Sequence, residues 1–508
     1  MRPITLSKAV YRDKVFACWL GKNIGGTLGA PFEGQKHVHD LDFYYPVPTE
    51  PAANDDLDLQ LVWLKLLEDK GVNPRLPEFA DYWVRYLSAY PWNEYGFCRR
   101  NLGRGLLPPI SGCFENYFVD EMGAPIRSEI WACLAPGDPQ LAAAMAWKDA
   151  VLDHAGGEGM YGEMFWAAVE SAAFLITDPK TLIRIGLAMI PISSHISRVI
   201  REAVWCSENG HRWGEARERI ARIFGHHQPC NAVPNHGFTI LGWLYGKDYG
   251  DRLCRAVNCG YDTDCTGATL GSLLGIIGGT KAIPPKWRKP VGETIVLHKF
   301  TGKFNAPKTI GELTDRTVAL GEQCLKARSD IVALSDTTKL PPDALSLLFR
   351  NERARAALAQ DVHSAVVLSR AGAKGAAADL EIILHYNGEP VLLPKVARTF
   401  AVSFASPDAE LRAAPTSIRN VKSIAVKAPK GWKVSPVRRE GERFVFEVRT
   451  PRVPARSTLT VRANVRSKTY RASFTILGPA EAKGYPAGGN VQVCPRCGAR
   501  LEACLCEK

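Results

Sequence analysis

Apolar residues recur at helical spacing along the chain up to about residue 330. Residues 57–70 (LDLQLVWLKLLEDK), 160–176 (MYGEMFWAAVESAAFLI) and 179–190 (PKTLIRIGLAMI) each carry an apolar stripe, and 309–330 (TIGELTDRTVALGEQCLKARSD) reads as a last helix. Loops rich in Gly, Pro, Asn and aromatics interrupt them, notably at 90–123. Strands and helices do not alternate, which argues against a parallel α/β fold. Beyond a short helix-like piece at 342–360 the pattern changes to runs such as LEIILHYNG, RTFAVSFAS, VKSIAVKAP, RFVFEVRT, STLTVRANV and RASFTIL. β-Branched runs of this length between turn residues predict an antiparallel sandwich. The segment AEAKGYPAGGN has linker composition and leads to CPRCGARLEACLCEK. The expected division is 1–330, a helical body; 331–478, a linker helix and β-sandwich; and 479–508, a flexible linker and cysteine knuckle.

With 46% hydrophobic and 23% charged residues among 508, the chain can bury several cores and is not a disordered one. Net charge is +12, and residues 398–471 alone carry 17 Lys/Arg against 5 Asp/Glu. Such a patch could meet an anionic polymer. No nucleic-acid motif accompanies it, so nucleic acid is not an expected partner. The start MRPITLSKAVYRDKV has no apolar core or cleavage site, and the uncharged run 265–280 falls short of a membrane span. The expectation is a cytoplasmic protein whose 14 cysteines are reduced thiols.

Two acidic motifs each precede an apolar helix. Asn54-Asp55-Asp56 opens the first, and Gly260-Tyr261-Asp262-Thr263-Asp264-Cys265-Thr266 opens the second. One acidic cap would satisfy a helix N-terminus. Four carboxylates at two helix starts repel unless cations neutralise them, so capping and a divalent-metal site both stand as readings. Gly21, Gly25 and Gly29 recur every four residues, as do Gly267, Gly271 and Gly275. These rows predict two helices in close backbone approach. The segment GKNIGGTLG is no nucleotide loop, lacking the lysine spacing and the preceding strand.

Together GKNIGGTLGAPFEG, NDDLDLQ and VNCGYDTDCTGATLGSLLGIIGGTKAIPPKW resemble the ADP-ribosylglycohydrolase (DraG-like) family over roughly residues 10–325. The resemblance implies a compact all-α body with two Mg²⁺ ions (or Mn²⁺) at the base of a cleft, an accessory immunoglobulin-like β-sandwich being appended here. It implies that Asp55, Asp56, Asp262 and Asp264 are metal ligands and that Glu33 matches the family's mobile glutamate flap. Asn54 and Cys265 occupy two further metal-ligand positions of the family, Asn54 where a Thr or Ser is usual and Cys265 where a Thr is usual. An amide oxygen suits Mg²⁺, whereas a thiol does not. Asp56 would serve as base to the attacking water, and Glu33 would position the scissile bond or protonate the leaving group. Gly123, Arg127 and His154 are the expected substrate contacts, a structural ion pair being the other reading of Arg127 and bracing of its loop the other reading of His154. Glu115, Asn116, Asn235, His236 and the aromatics Tyr44, Tyr45, Tyr90, Trp92, Tyr95 and Phe97 are further candidates for the cleft wall.

Cys494, Cys497, Cys504 and Cys506 lie close enough together to predict one structural Zn²⁺, and such a knuckle can dock another protein. The expected activity is metal-dependent hydrolysis of a glycosidic bond, releasing ADP-ribose from a protein or small molecule. Alternatives are a glycosidase acting on a non-nucleotide, furanose-containing substrate, and a non-catalytic sugar or nucleotide binder.

Overall fold

The computed structural model describes residues 3–368, 380–405, 421–465 and 468–482. Cys494, Cys497, Cys504 and Cys506 lie outside the described residues, so the expected zinc knuckle does too. The glycine rows behave as their spacing predicts. Helix α1, Lys8–Gly29, packs lengthwise on α2, Thr263–Gly278. A Cβ on Gly21, Gly25 or Gly29 would overlap the backbone carbonyls of Gly271, Gly267 and Thr263 respectively. The cost of interior glycine, about 1 kcal/mol each relative to alanine, is offset by this contact. The two acidic motifs are thereby brought together, because α2 begins beside the end of α1, where the Glu33 loop follows.

The other helices wrap this pair. Among them is Asp55–Lys70, which is buried from Asp56 to Leu64. The strand Ile4–Ser7 pairs in parallel with Val332–Ser335, tying the start of the body to the far end of its last long helix, Ile310–Arg328. This pairing has a consequence for the domain limits. Residues just past 330 are expected in a linker helix of the second domain. In the structure the chain turns back there, and Leu347, Leu348, Ala354 and Ala357 join the core of the helical body.

Among the described residues, the C-terminal region contains two antiparallel sheets. One contains Lys468–Leu477, Arg456–Val465 and Val421–Lys427; the other runs Ala365–Val367, Glu381–His385, Arg398–Ala405, Arg443–Arg449 and Lys433–Val434, with Arg438–Glu440 also paired to Arg443–Arg449. Alternating residues, Ile382, Leu384, Phe400 and Val402 on one and Leu459, Val461, Phe474 and Ile476 on the other, share one apolar core. Three residues of the helical body, Leu106, Ile110 and Phe114, enter that same core. Arg456 adds a hydrogen bond to the Gly103 carbonyl at 2.6 Å. The two parts are thus joined by apolar packing. No helix among the described residues is long and apolar enough to cross a membrane.

Candidate functional site

Asn54 caps the Asp55–Lys70 helix, its Oδ1 accepting the Asp56 N–H at 2.9 Å. Its Nδ2 donates to Asp264 Oδ2 at 3.2 Å, which links the two motifs directly. The amide expected to offer an oxygen to a cation is therefore engaged at both ends. On the other side, the backbone bends sharply ahead of Asp262. Gly260 and Tyr261 both adopt positive φ, 75° and 72°, and for tyrosine such a conformation is strained. Asn235 steadies the turn, its Oδ1 accepting the Asp262 N–H at 3.2 Å. The Glu33 loop is stitched to the same turn, with Gly34 N–H donating to the Tyr261 carbonyl at 2.9 Å and Tyr261 N–H to the Gln35 carbonyl at 2.8 Å.

Glu33, Asp55, Asp56, Asp262 and Asp264 converge as a result. Asp264, then burial, then Asp55 push the Glu33 carboxyl up to about 8. Burial and Asp264 push Asp55 up to about 7, although Tyr95 Oη donates to Asp55 Oδ2 at 3.1 Å. Burial also raises Asp56, Asp262 and Asp264. Asp262 Oδ1 and Asp264 Oδ1 are buried without any hydrogen-bond partner, an expensive state for carboxylate oxygens. A divalent cation is the group that this donor set fits: it supplies positive charge to several acids at once and takes up the bare oxygens. Among the described residues, two clusters have donor atoms within 4.8 Å of one another. Asp56, Asp264 and Cys265 form one; Glu33, Cys230 and Asp262 form the other.

Behind the acids lies a buried positive charge absent from the sequence reading. Lys22 Nζ sits 2.7 Å from Glu129 Oε1 and 3.7 Å from Asp56 Oδ2. Burial opposes its charge, but Glu129 and Asp56 outweigh burial and raise its pKa. Gln60 locks this group by donating to Glu129 Oε2 and to the Asp56 carbonyl, both at 2.8 Å. Asp56 thus faces an ammonium on one side and the Cys265 thiol on the other, whose Sγ donates to Oδ1 at 3.4 Å.

Of the expected substrate contacts, Gly123 lies against the site wall, where a Cβ would press on Glu94 and Tyr95. Arg127 and His154 are placed differently, both at 0% exposure. The Arg127 guanidinium binds Asp153 through two bonds of 2.9 Å, approaches Asp149 at 3.0 Å and donates to the Gly123 carbonyl. His154 Nδ1 lies 2.9 Å from Asp153. Neither side chain reaches open space; both hold the loop from beneath. Glu115 is paired with Arg104 and Arg100, Asn116 bonds the Gly112 and Asp153 carbonyls, and His236 is buried against Trp166. The sequence reading missed Cys230. Nothing in its neighbourhood along the chain marks it, because its carboxylate neighbours come from two distant loops.

No match was found among the curated proteins. A solved structure described as an ADP-ribosylglycohydrolase-related protein complex is similar at 19% identity, covering 63% of this chain and 99% of that one, with a TM-score of 0.43. The family model for ADP-ribosylglycohydrolase matches residues 7–324, a span that takes in both acidic motifs, the glycine rows and Cys230. This chain belongs to the ADP-ribosylglycohydrolase family, whose members hydrolyse glycosidic bonds.

Proposed function

We propose that the protein releases ADP-ribose by hydrolysing its N- or O-glycosidic link to a protein or small molecule, using divalent cations held among Asp55, Asp56, Asp262 and Asp264. The observation that carries this reading is the convergence of four acids at the starts of two helices with Glu33, three of the five having a buried oxygen without a hydrogen-bond partner. When bound, the cations would hold vicinal sugar hydroxyls and polarise a water. Asp56 takes the proton of the attacking water, and the fixed Lys22 beside it favours its ionised form beforehand. Glu33 stands among these acids and would position the scissile bond or pass a proton to the leaving atom. Gly123 offers backbone to the substrate, while Arg127 and His154 act through the loop they brace.

The test is release of ADP-ribose from an ADP-ribosylated protein by the full chain with divalent metal present. The pair Asp262→Asn and Asp264→Asn should abolish turnover, and Glu33→Gln should lower kcat by about a hundredfold or more. Unchanged turnover in the double variant would remove the site from the mechanism. The accessory β domain favours a second reading, a non-nucleotide glycoside as substrate. Cleavage of a furanoside, with ADP-ribosylated protein left intact, would select it.

A further inference from the structure

Both donor clusters contain a thiol, and this sets the centre apart from one built for a hard ion. Cys265 stands with Asp56 and Asp264, and Cys230 with Glu33 and Asp262. Magnesium takes oxygen ligands and dehydrates reluctantly, so a sulfur at the ligand distance wastes a position. Zinc and related borderline ions bind sulfur, nitrogen and carboxylate oxygen together, and in catalytic sites they commonly take three protein ligands with one place left for water or substrate. Each cluster here offers that number and that mixture.

Neither thiol is loosely placed. Cys265 lies in the first turn of α2, which glycine packing pins against α1. Cys230 is fixed by its backbone: its carbonyl accepts the Met122 N–H at 2.9 Å. Asn235 donates to the carbonyls on either side, Pro229 at 2.7 Å and Asn231 at 2.9 Å. The same Asn235 accepts the Asp262 N–H, so one amide holds the thiol's loop and the carboxylate's loop in register. The bare oxygens of Asp262 and Asp264 are the independent sign that a cation belongs between these loops.

We propose that Cys230 and Cys265 are metal ligands, one in each cluster, and that they make this centre selective for a thiophilic divalent cation of the zinc class over magnesium. The inference rests on the proposed hydrolytic site and names the ion class it takes. Cobalt(II) is the probe, since thiolate bound to cobalt gives a near-ultraviolet charge-transfer band. The full chain, stripped of metal, is titrated with Co²⁺ as wild type, Cys230→Ser and Cys265→Ser. Difference spectra cancel any contribution of the four C-terminal cysteines, which all three proteins share.

Each variant should lose part of the band and bind Zn²⁺ at least about tenfold more weakly, the smallest cost seen even for groups outside the ligand set. In a full-length chain whose four C-terminal cysteines are replaced by Ser, Zn²⁺ equimolar with the bound Co²⁺ should displace it from these clusters, whereas a large excess of Mg²⁺ should not. A band of equal intensity in all three proteins, or displacement of Co²⁺ by Mg²⁺, overturns the inference. The displacement experiment leaves Cys230 and Cys265 unchanged and removes the four C-terminal thiols from the band, so it decides the matter even where a Cys230 or Cys265 variant folds poorly. ADP-ribose release is followed in the same samples. Release with magnesium and no cysteine-dependent band sinks the thiol assignment and leaves the activity standing. Cysteine-bound cobalt without release supports the assignment and counts against the activity.

Discussion

At the scale of single residues, burial decides what each polar group does. His236 is fully buried, donates Nδ1 to the Ala232 carbonyl and stacks on Trp166. Burial lowers its pKa to about 4 from an ordinary 6.5. Between those values the unfolded chain binds a proton that the native protein refuses, so stability falls as pH drops from 6.5 towards 4. The full effect is on the order of 3 kcal/mol. Urea unfolding of wild type and His236→Asn at about pH 6.5 and about pH 4.5 should show the gap between them shrinking in acid; a constant gap would show that His236 is not held neutral. Arg127 and His154 illustrate the same rule. The sequence leaves each open between substrate contact and a structural role, and the buried carboxylates around them, Asp149 and Asp153, are what favour the structural one. Asp55, Asp56, Asp262 and Asp264 were legible in the sequence because neighbouring acids ahead of a helix form a local signal. Cys230 was not, since its relation to Glu33 and Asp262 is made by chain folding alone.

At the scale of elements, the α1–α2 pair is the frame of the site. Its glycines were legible from their four-residue period, which states both the helix and the close approach. Replacing Gly25 with Ala would drive a methyl into the Gly267 carbonyl, and two long, buried helices have little freedom to part. The expected loss is about 3 kcal/mol, at the upper end of ordinary overpacking, accompanied by weaker metal binding because Asp262 and Asp264 move away from Asn54 and Asp56. Chemical denaturation and metal titration of Gly25→Ala measure both effects. An unchanged midpoint would mean that the helices are not packed as described. Gly96→Ala, where added bulk meets nothing, is the control. The Glu33 loop, which the resemblance likens to a glutamate flap, is bonded to the Tyr261 turn through both Gly34 and Gln35; such pairing cannot be read from sequence, since Gln35 and Tyr261 carry no motif for each other.

At the scale of the whole molecule, the β domain is attached through the loop that follows the Asn93–Gly103 helix, the helix that supplies Glu94 and Tyr95 to the site. Leu106 is fully buried in the shared core. Leu106→Ala should cost about 2–5 kcal/mol and should also raise KM, because the loosened loop carries the site wall with it. Scanning calorimetry and steady-state kinetics on the full chain check this. A stability loss with unchanged KM would confine the β domain to a purely structural attachment. The order of a helical region followed by strands was determined by the sequence, because the periods of 3.6 and 2 are local properties of each segment. The acidic motifs and glycine rows were determined in the same way, and with them the family. Tertiary structure alone decided which groups share the site: Lys22 behind Asp56, Cys230 beside Asp262, Arg127 beneath Gly123, and residues 344–357 on the body instead of with the sandwich. The physical reason is common to all four. Burial and charge pairing depend on distances between segments far apart along the chain, and no local pattern of residues records those distances.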